Sequence, residues 1–82
     1  MSIPSSSVPA SSEDARSESI GYLALIQLGE RLPLQVLHST AGYYIGTTDE
    51  GGPASRESVQ YFPSYQAASS ALTTGRWQQR LP

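Results

Sequence analysis

The chain has 82 residues, with five Arg and no Lys against seven acidic residues, one His, no Cys and a net charge of −2. Disulfides, a thiolate zinc site and a catalytic cysteine are excluded, as is a zinc centre built from several histidines. The acidic balance also disfavours a protein held on nucleic acid mainly by phosphate charge. No cofactor and no metal is expected.

Residues 1–18 (MSIPSSSVPASSEDARSE) are rich in Ser, Pro and acids. So little apolar surface cannot offset the entropy lost on ordering, and the segment reads as a disordered tail. Residues 19–82 then form a single small α+β domain, near the lower size limit for an unassisted core. The start lacks the positive charge and apolar run of a secretory signal. The longest apolar stretch, 20–28, is less than half the roughly 20 residues of a membrane helix. A cytoplasmic protein with no membrane contact is expected.

The stretch 20–28 (IGYLALIQL) is ambiguous by period. As a strand it places Ile20, Tyr22, Ala24, Ile26 and Leu28 on one face. As a helix it could start from a Ser12 cap and stop at Gly29. Ser17, Ser19 and Gly21 are poor helix-interior residues, which favours a strand or short apolar arm from Ile20.

After Pro33, residues 34–39 alternate as a half-buried strand, and Thr40-Ala41-Gly42 reads as a tight turn. The aromatic and β-branched run 43–47 is the return strand. Asp49 to Pro53 (DEGGP) is a turn, because Gly-Gly-Pro is not expected inside a ladder. A third strand is expected over 56–62. Pro63 stops it, Ser64 caps a helix, and Gly75 ends that helix in the left-handed conformation. Tyr65, Ala68, Ala71 and Leu72 form its apolar stripe. The expected fold is a three-stranded antiparallel meander followed by one packing helix, with an additional N-terminal apolar strand or helix.

In this arrangement the helix covers the face bearing Val36, Tyr43, Ile45, Val59 and Tyr61. Leu37, Tyr44 and Phe62 lie on the opposite face, which segment 20–28, a second copy or a partner must cover. Alternation brings Arg56, Ser58 and Gln60 to that open face. An Arg beside aromatics has the composition of a binding surface, although a cross-strand ion pair fits equally well. Trp77, between Arg76 and Arg80, either plugs the end of the core or stands out as an anchor.

Catalytic constellations are missing. His38 has no nucleophile-elbow serine to serve and reads as a structural or surface residue. Asp49-Glu50-Gly51-Gly52 lacks the spacing and Lys of a phosphate loop. Asp49, Glu50 and Glu57 lack the spacing of a calcium loop and read as solvated turn acids.

A three-stranded sheet with one helix resembles the arm-binding domains of phage integrases and the plant AP2 type, which read duplex DNA. Arg31, Arg56, Arg76 and Arg80 are balanced here by Glu30, Asp49, Glu50 and Glu57, so duplex binding lacks its main energy source. Four features over residues 42–80 carry a second resemblance: Gly-Tyr-Tyr-Ile-Gly-Thr from Gly42, Ser-Arg-Glu-Ser from Ser55 before Tyr61-Phe62, an alanine-rich helix, and Gly-x-Trp-x-Gln-Arg ending at Arg80. In these the chain resembles small accessory proteins of proteobacterial plasmids, phages and integrated elements. That resemblance implies binding to a host or defence protein, in the manner of anti-CRISPR and anti-restriction inhibitors.

The expectation is a non-enzymatic protein-binding module with Tyr44, Arg56, Phe62, Trp77 and Arg80 as its contacts. Two alternatives stand beside it. One is a weak single-stranded nucleic-acid binder that stacks bases on Tyr43, Tyr44, Tyr61 and Phe62. The other is a homodimer formed through the open face.

Overall fold

The computed structural model describes residues 19–82; the tail reading of 1–18 lies outside the described residues. The elements in order are a short helix α1 (Ala24–Leu28), strands β1 (Gln35–Ser39), β2 (Gly42–Asp49) and β3 (Gly52–Arg56), and helix α2 (Tyr65–Thr74). The strands form one antiparallel sheet in the order β1-β2-β3. This is the expected α+β meander with its packing helix, and the additional N-terminal element is a helix.

The preference for a strand over 20–28 is therefore corrected. Residues 19–21 do run antiparallel to 32–34, with Gly21 N donating to Leu32 O at 2.9 Å and Leu34 N to Ser19 O at 3.0 Å. The chain then coils at Tyr22, widens into the π-helical turn of α1 and stops at Gly29 with φ 71°. Its first amides find their acceptor on Glu57, more than thirty residues away. No local reading of the sequence could supply that partner.

Thr40 and Ala41 make the two-residue loop of the first hairpin, so Ser39 pairs with Gly42. The second loop is shorter than expected. Glu50 and Gly51 alone turn the chain, Asp49 Oδ1 accepts from Gly51 N at 2.8 Å, and Gly52 and Pro53 already belong to β3. Pro53 is tolerated because it stands on an outer strand beside the irregularity at Thr47/Thr48.

The third strand also differs from expectation, since it ends at Arg56 where 56–62 was expected. Glu57 N and Ser58 N both donate to Ile45 O, at 2.8 and 3.0 Å, which breaks the ladder. Pairing resumes only where Phe62 and Tyr43 exchange two main-chain bonds of 2.7 and 3.0 Å. Arg56 and Phe62 are six positions apart, whereas their partners Gly46 and Tyr43 are three positions apart. The surplus chain, 59–61, arches off the sheet. A break of this kind resets the two-residue alternation, so Val59 and Tyr61 are exposed rather than covered by α2.

Helix α2 follows its punctuation. Ser64 Oγ accepts from Ala67 N at 3.1 Å, and Gly75 closes the helix with φ 76°. Ala68 and Ala71 are buried, but Tyr65 is 58% exposed, so the stripe is narrower than expected.

Paired residues share a face, which puts Val36, His38, Tyr43, Ile45, Thr47 and Ser55 on one side of the sheet. Both helices pack there. Tyr65 of α2 meets Tyr43 edge-on at 6.3 Å, and Glu57 ties the start of α1 to Ser55. Ile45, Thr47, Ala24 and Ala68 are fully buried on or beneath this side.

Candidate binding face

The other side of the sheet holds Gln35, Leu37, Tyr44, Gly46 and Arg56. Neither helix covers it, so α1 is not the lid expected for that face. The cover comes from the 59–61 arch. Tyr61 lies edge-on to Tyr44 with ring centres 5.9 Å apart, and Tyr44 is buried as a result. Tyr61 itself stays 42% exposed. The Arg56 guanidinium sits 4.7 Å from the centre of the Tyr61 ring. Its Nη1 also donates to the carbonyls of Ser58 and Val59, at 2.7 and 3.1 Å. The arginine is thus held in place by the arch it supports.

The five expected contact residues separate into distinct roles. Tyr44 is a core residue and is not available as a contact. Arg56 is half-buried and presents its planar group against Tyr61. Arg80 is half-buried and donates from Nη1 to Arg56 O at 2.9 Å, joining the C-terminal segment to the same corner. Phe62, expected on this open face, is half-buried at its bridge to Tyr43 and so shares the helix side instead, because the break after Arg56 resets the alternation. Trp77 is half-buried beyond α2. The structure therefore brings Tyr44 and Arg56 together against Tyr61, with Arg80 tied to the main chain of Arg56. Tyr61, expected under α2, is the exposed centre of the group. The doubled donation to Ile45 O that turns Tyr61 outward leaves no mark on the sequence alternation.

Glu57 departs furthest from expectation, because it is fully buried rather than solvated. Its carboxylate accepts from Leu23 N at 2.9 Å, Ala24 N at 3.0 Å, Ser55 Oγ at 2.6 Å and Gln79 Nε2 at 2.7 Å. Arg80 N donates to its main-chain carbonyl at 2.7 Å. One side chain thereby ties α1, β3 and the C-terminal segment together. Burial alone works to raise its pKa. The hydrogen bonds from Leu23 N, Ser55, Gln79 and Ala24 N outweigh that and hold it below the usual carboxylate value. Gly21 is part of the same arrangement. A Cβ there would lie 2.5 Å from both Glu57 Oε2 and Thr47 Cγ2.

Elsewhere, His38 stacks on Tyr43 at 4.3 Å on the exposed edge of the hairpin. A surface cavity of about 540 Å³ is lined by Glu30, Leu32, Asp49, Glu50 and Gly51. Among the described residues, no three acidic or imidazole groups are placed to hold a metal ion. No helix among them is long and apolar enough to cross a membrane. No family model, curated protein or solved structure matches the chain.

Proposed function

We propose that the chain is a non-enzymatic protein-binding module whose contact face is centred on Tyr61. The observation that carries this is the corner itself. A half-exposed tyrosine is braced by Tyr44 beneath and Arg56 beside it, with Val59 45% exposed two residues away. Rigid aromatic anchors with an arginine already desolvated against them lose little freedom on docking, and such residues dominate protein interfaces. In this reading Arg56 acts within the face, against Tyr61, and Arg80 acts at its rim through its bond to Arg56 O. Trp77, beyond the helix end, is a secondary contact, whereas Phe62 shares the helix side with its bridge partner Tyr43 and takes no part. The likeness to accessory proteins of mobile elements supplies the partner class in this proposal, a component of a host defence complex.

The test is co-purification of the tagged chain from its host type after nuclease treatment. A stoichiometric protein partner is expected with the wild-type chain and lost with Tyr61→Ala plus Val59→Ser. Tyr61→Ala also gives up the edge-on contact with Tyr44 and the contact with Arg56, so the double variant is expected to lose about 1–3 kcal/mol, and circular dichroism checks that it remains folded. Retention of the partner by the folded double variant moves the contact face elsewhere. The His38–Tyr43–Tyr65 series, half-buried at Tyr43 and exposed at its two ends, favours a second reading, base stacking on single strands, with His38 on Tyr43 at 4.3 Å and Tyr65 58% exposed. That reading requires anisotropy of a labelled oligonucleotide to rise at low salt and collapse as salt is added. A flat low-salt titration removes it.

A further inference from the structure

Helix α2 stops at Gly75, and the chain then returns to the sheet as a short strip, residues 78–80. The strip runs antiparallel to 57–59. Arg80 N donates to Glu57 O at 2.7 Å, Gln79 bridges Ser58, and Val59 N donates to Gln78 O at 2.8 Å. One end of the strip is fixed to the core. There Gln79 Nε2 donates to Glu57 Oε1 at 2.7 Å, and Arg80 Nη1 donates to Arg56 O at 2.9 Å. The other end is fixed to the arch of 59–61. Besides taking the Val59 amide, Gln78 donates its own N–H to Gln60 Oε1 at 3.0 Å.

Both main-chain groups of Gln78 thus serve the arch, one at its first residue and one at its middle residue. The arch has further supports where it leaves the sheet. Arg56 Nη1 holds the carbonyls of Ser58 and Val59, and Ser58 Oγ donates to Gln60 O at 2.8 Å. The crown of the arch is referred through Gln78 and Gln79 to Glu57, which is fully buried. Residues 78–80 bring no apolar side chain, and Gln78 is exposed while Gln79 and Arg80 are half-buried. A segment held chiefly by hydrogen bonds, some of them near solvent, opens at lower free energy than the sheet beneath it. The strip can therefore let go while the fold stays.

We propose that residues 78–80 are a strap that sets the shape of the arch, and so the position of Tyr61, with Gln60 and Gln79 as positioning residues. Gln79 latches the strap to Glu57, and Gln60 latches the arch to the strap. The strap stands on its own geometry, whereas its consequence for partner binding rests on the reading of Tyr61 as the contact face.

The test uses the full chain with three variants, Gln60→Met, Gln60→Glu and Gln79→Met. Met keeps the reach of the side chain without its hydrogen bond, whereas Glu at position 60 keeps an acceptor for Gln78 N. By NMR, the Val59 amide is expected to exchange at least about tenfold faster in both Met variants than in wild type, with recovery in Gln60→Glu. Contacts between the Tyr61 and Tyr44 rings should weaken in the same two variants. Amides of Tyr44 and Gly46, inside the sheet, should be unchanged, which certifies the fold. Gln79→Met also takes a donor from buried Glu57, and if it does not fold the Gln60 pair decides alone. Unchanged Val59 exchange and ring contacts overturn the proposal. Acceleration that Gln60→Glu shares overturns it too, as does equal acceleration at Tyr44 and Gly46, because the strip would then open only with the sheet. Co-purification separates this proposal from the Tyr61 reading. A partner lost with Tyr61→Ala plus Val59→Ser, yet fully kept by a folded variant whose arch has opened, overturns the control of binding by the strap. A partner kept by that double variant removes the Tyr61 face and leaves the strap standing.

Discussion

Glu57 shows how far one side chain can depart from what its neighbours suggest. It stands in Ser-Arg-Glu-Ser, among polar residues, and yet it is fully buried and takes four hydrogen bonds from three separate segments. Replacement by Gln keeps the shape but turns an N–H₂ group towards N–H donors. Bonds to a charged acceptor contribute about 1.5–3 kcal/mol each net, and leaving them unmade costs more. Glu57→Gln is therefore expected to lose roughly 3 kcal/mol in urea unfolding at pH 7. The pH dependence follows from the lowered pKa. The folded state releases this proton more readily than the unfolded chain, so the unfolded chain binds more protons in the window between the two values. Stability from Glu57 is complete above the ordinary value of 4.5 and is lost as pH falls through the folded value. The gap between wild type and Glu57→Gln should shrink as pH is lowered from 6 to about 3. A gap independent of pH would show that the ionised carboxylate is not what the donors stabilise. Gly21 lies at the same point. Gly21→Ala forces a methyl group into Glu57 and Thr47 and should cost about 1–3 kcal/mol by thermal unfolding, whereas Gly29→Ala meets no neighbour and carries only the backbone strain of a side chain at φ 71°.

Helices and strands were legible to the degree that their ends carry their own chemistry. The limits of α2 could be read from Ser64 and Gly75, because a cap and a left-handed stop act within one turn of chain. Ser64→Ala should lower stability by about 1 kcal/mol through loss of the bond from Ala67 N, and Asp at the same position should restore it. Hairpin β1-β2 was equally plain, with its two-residue loop and alternating strands. The third strand was misplaced by several residues for a physical reason. Alternation in 56–62 suits a strand, but the ladder is broken where two amides compete for Ile45 O. That competition depends on Glu57 being drawn under α1, a contact between parts of the chain far apart. The element α1 has the same dependence, since the acceptors for its first amides belong to Glu57.

On the scale of the whole molecule, the two helices share one side of the sheet and an arch of three residues protects the other. This leaves Tyr22, Leu25, Ile26 and Leu28 of the α1 region each between 38 and 48% exposed. A stable homodimer buries about 800 Å² on each partner, more than four side chains that are less than half exposed can offer. The chain is accordingly expected to sediment as a monomer at tens of micromolar, and Leu25→Ser with Ile26→Ser should leave its sedimentation unchanged. A monomer–dimer equilibrium abolished by that pair would transfer weight from the Tyr61 face to self-association through α1.

Composition, spacing and punctuation determined the fold class: a meander of three strands, a capped helix after it and an apolar element before it. These are local properties, fixed by alternation, turn residues and caps within a few positions of each other. Only the tertiary structure decided which acid is buried, which tyrosine emerges and which side of the sheet α1 covers. Each of those outcomes rests on a contact between distant segments, Glu57 with Leu23 and Ala24 or Tyr61 with Tyr44. A change of one residue in strand alternation exchanges inside for outside, and nothing in the neighbouring sequence records where that change occurs.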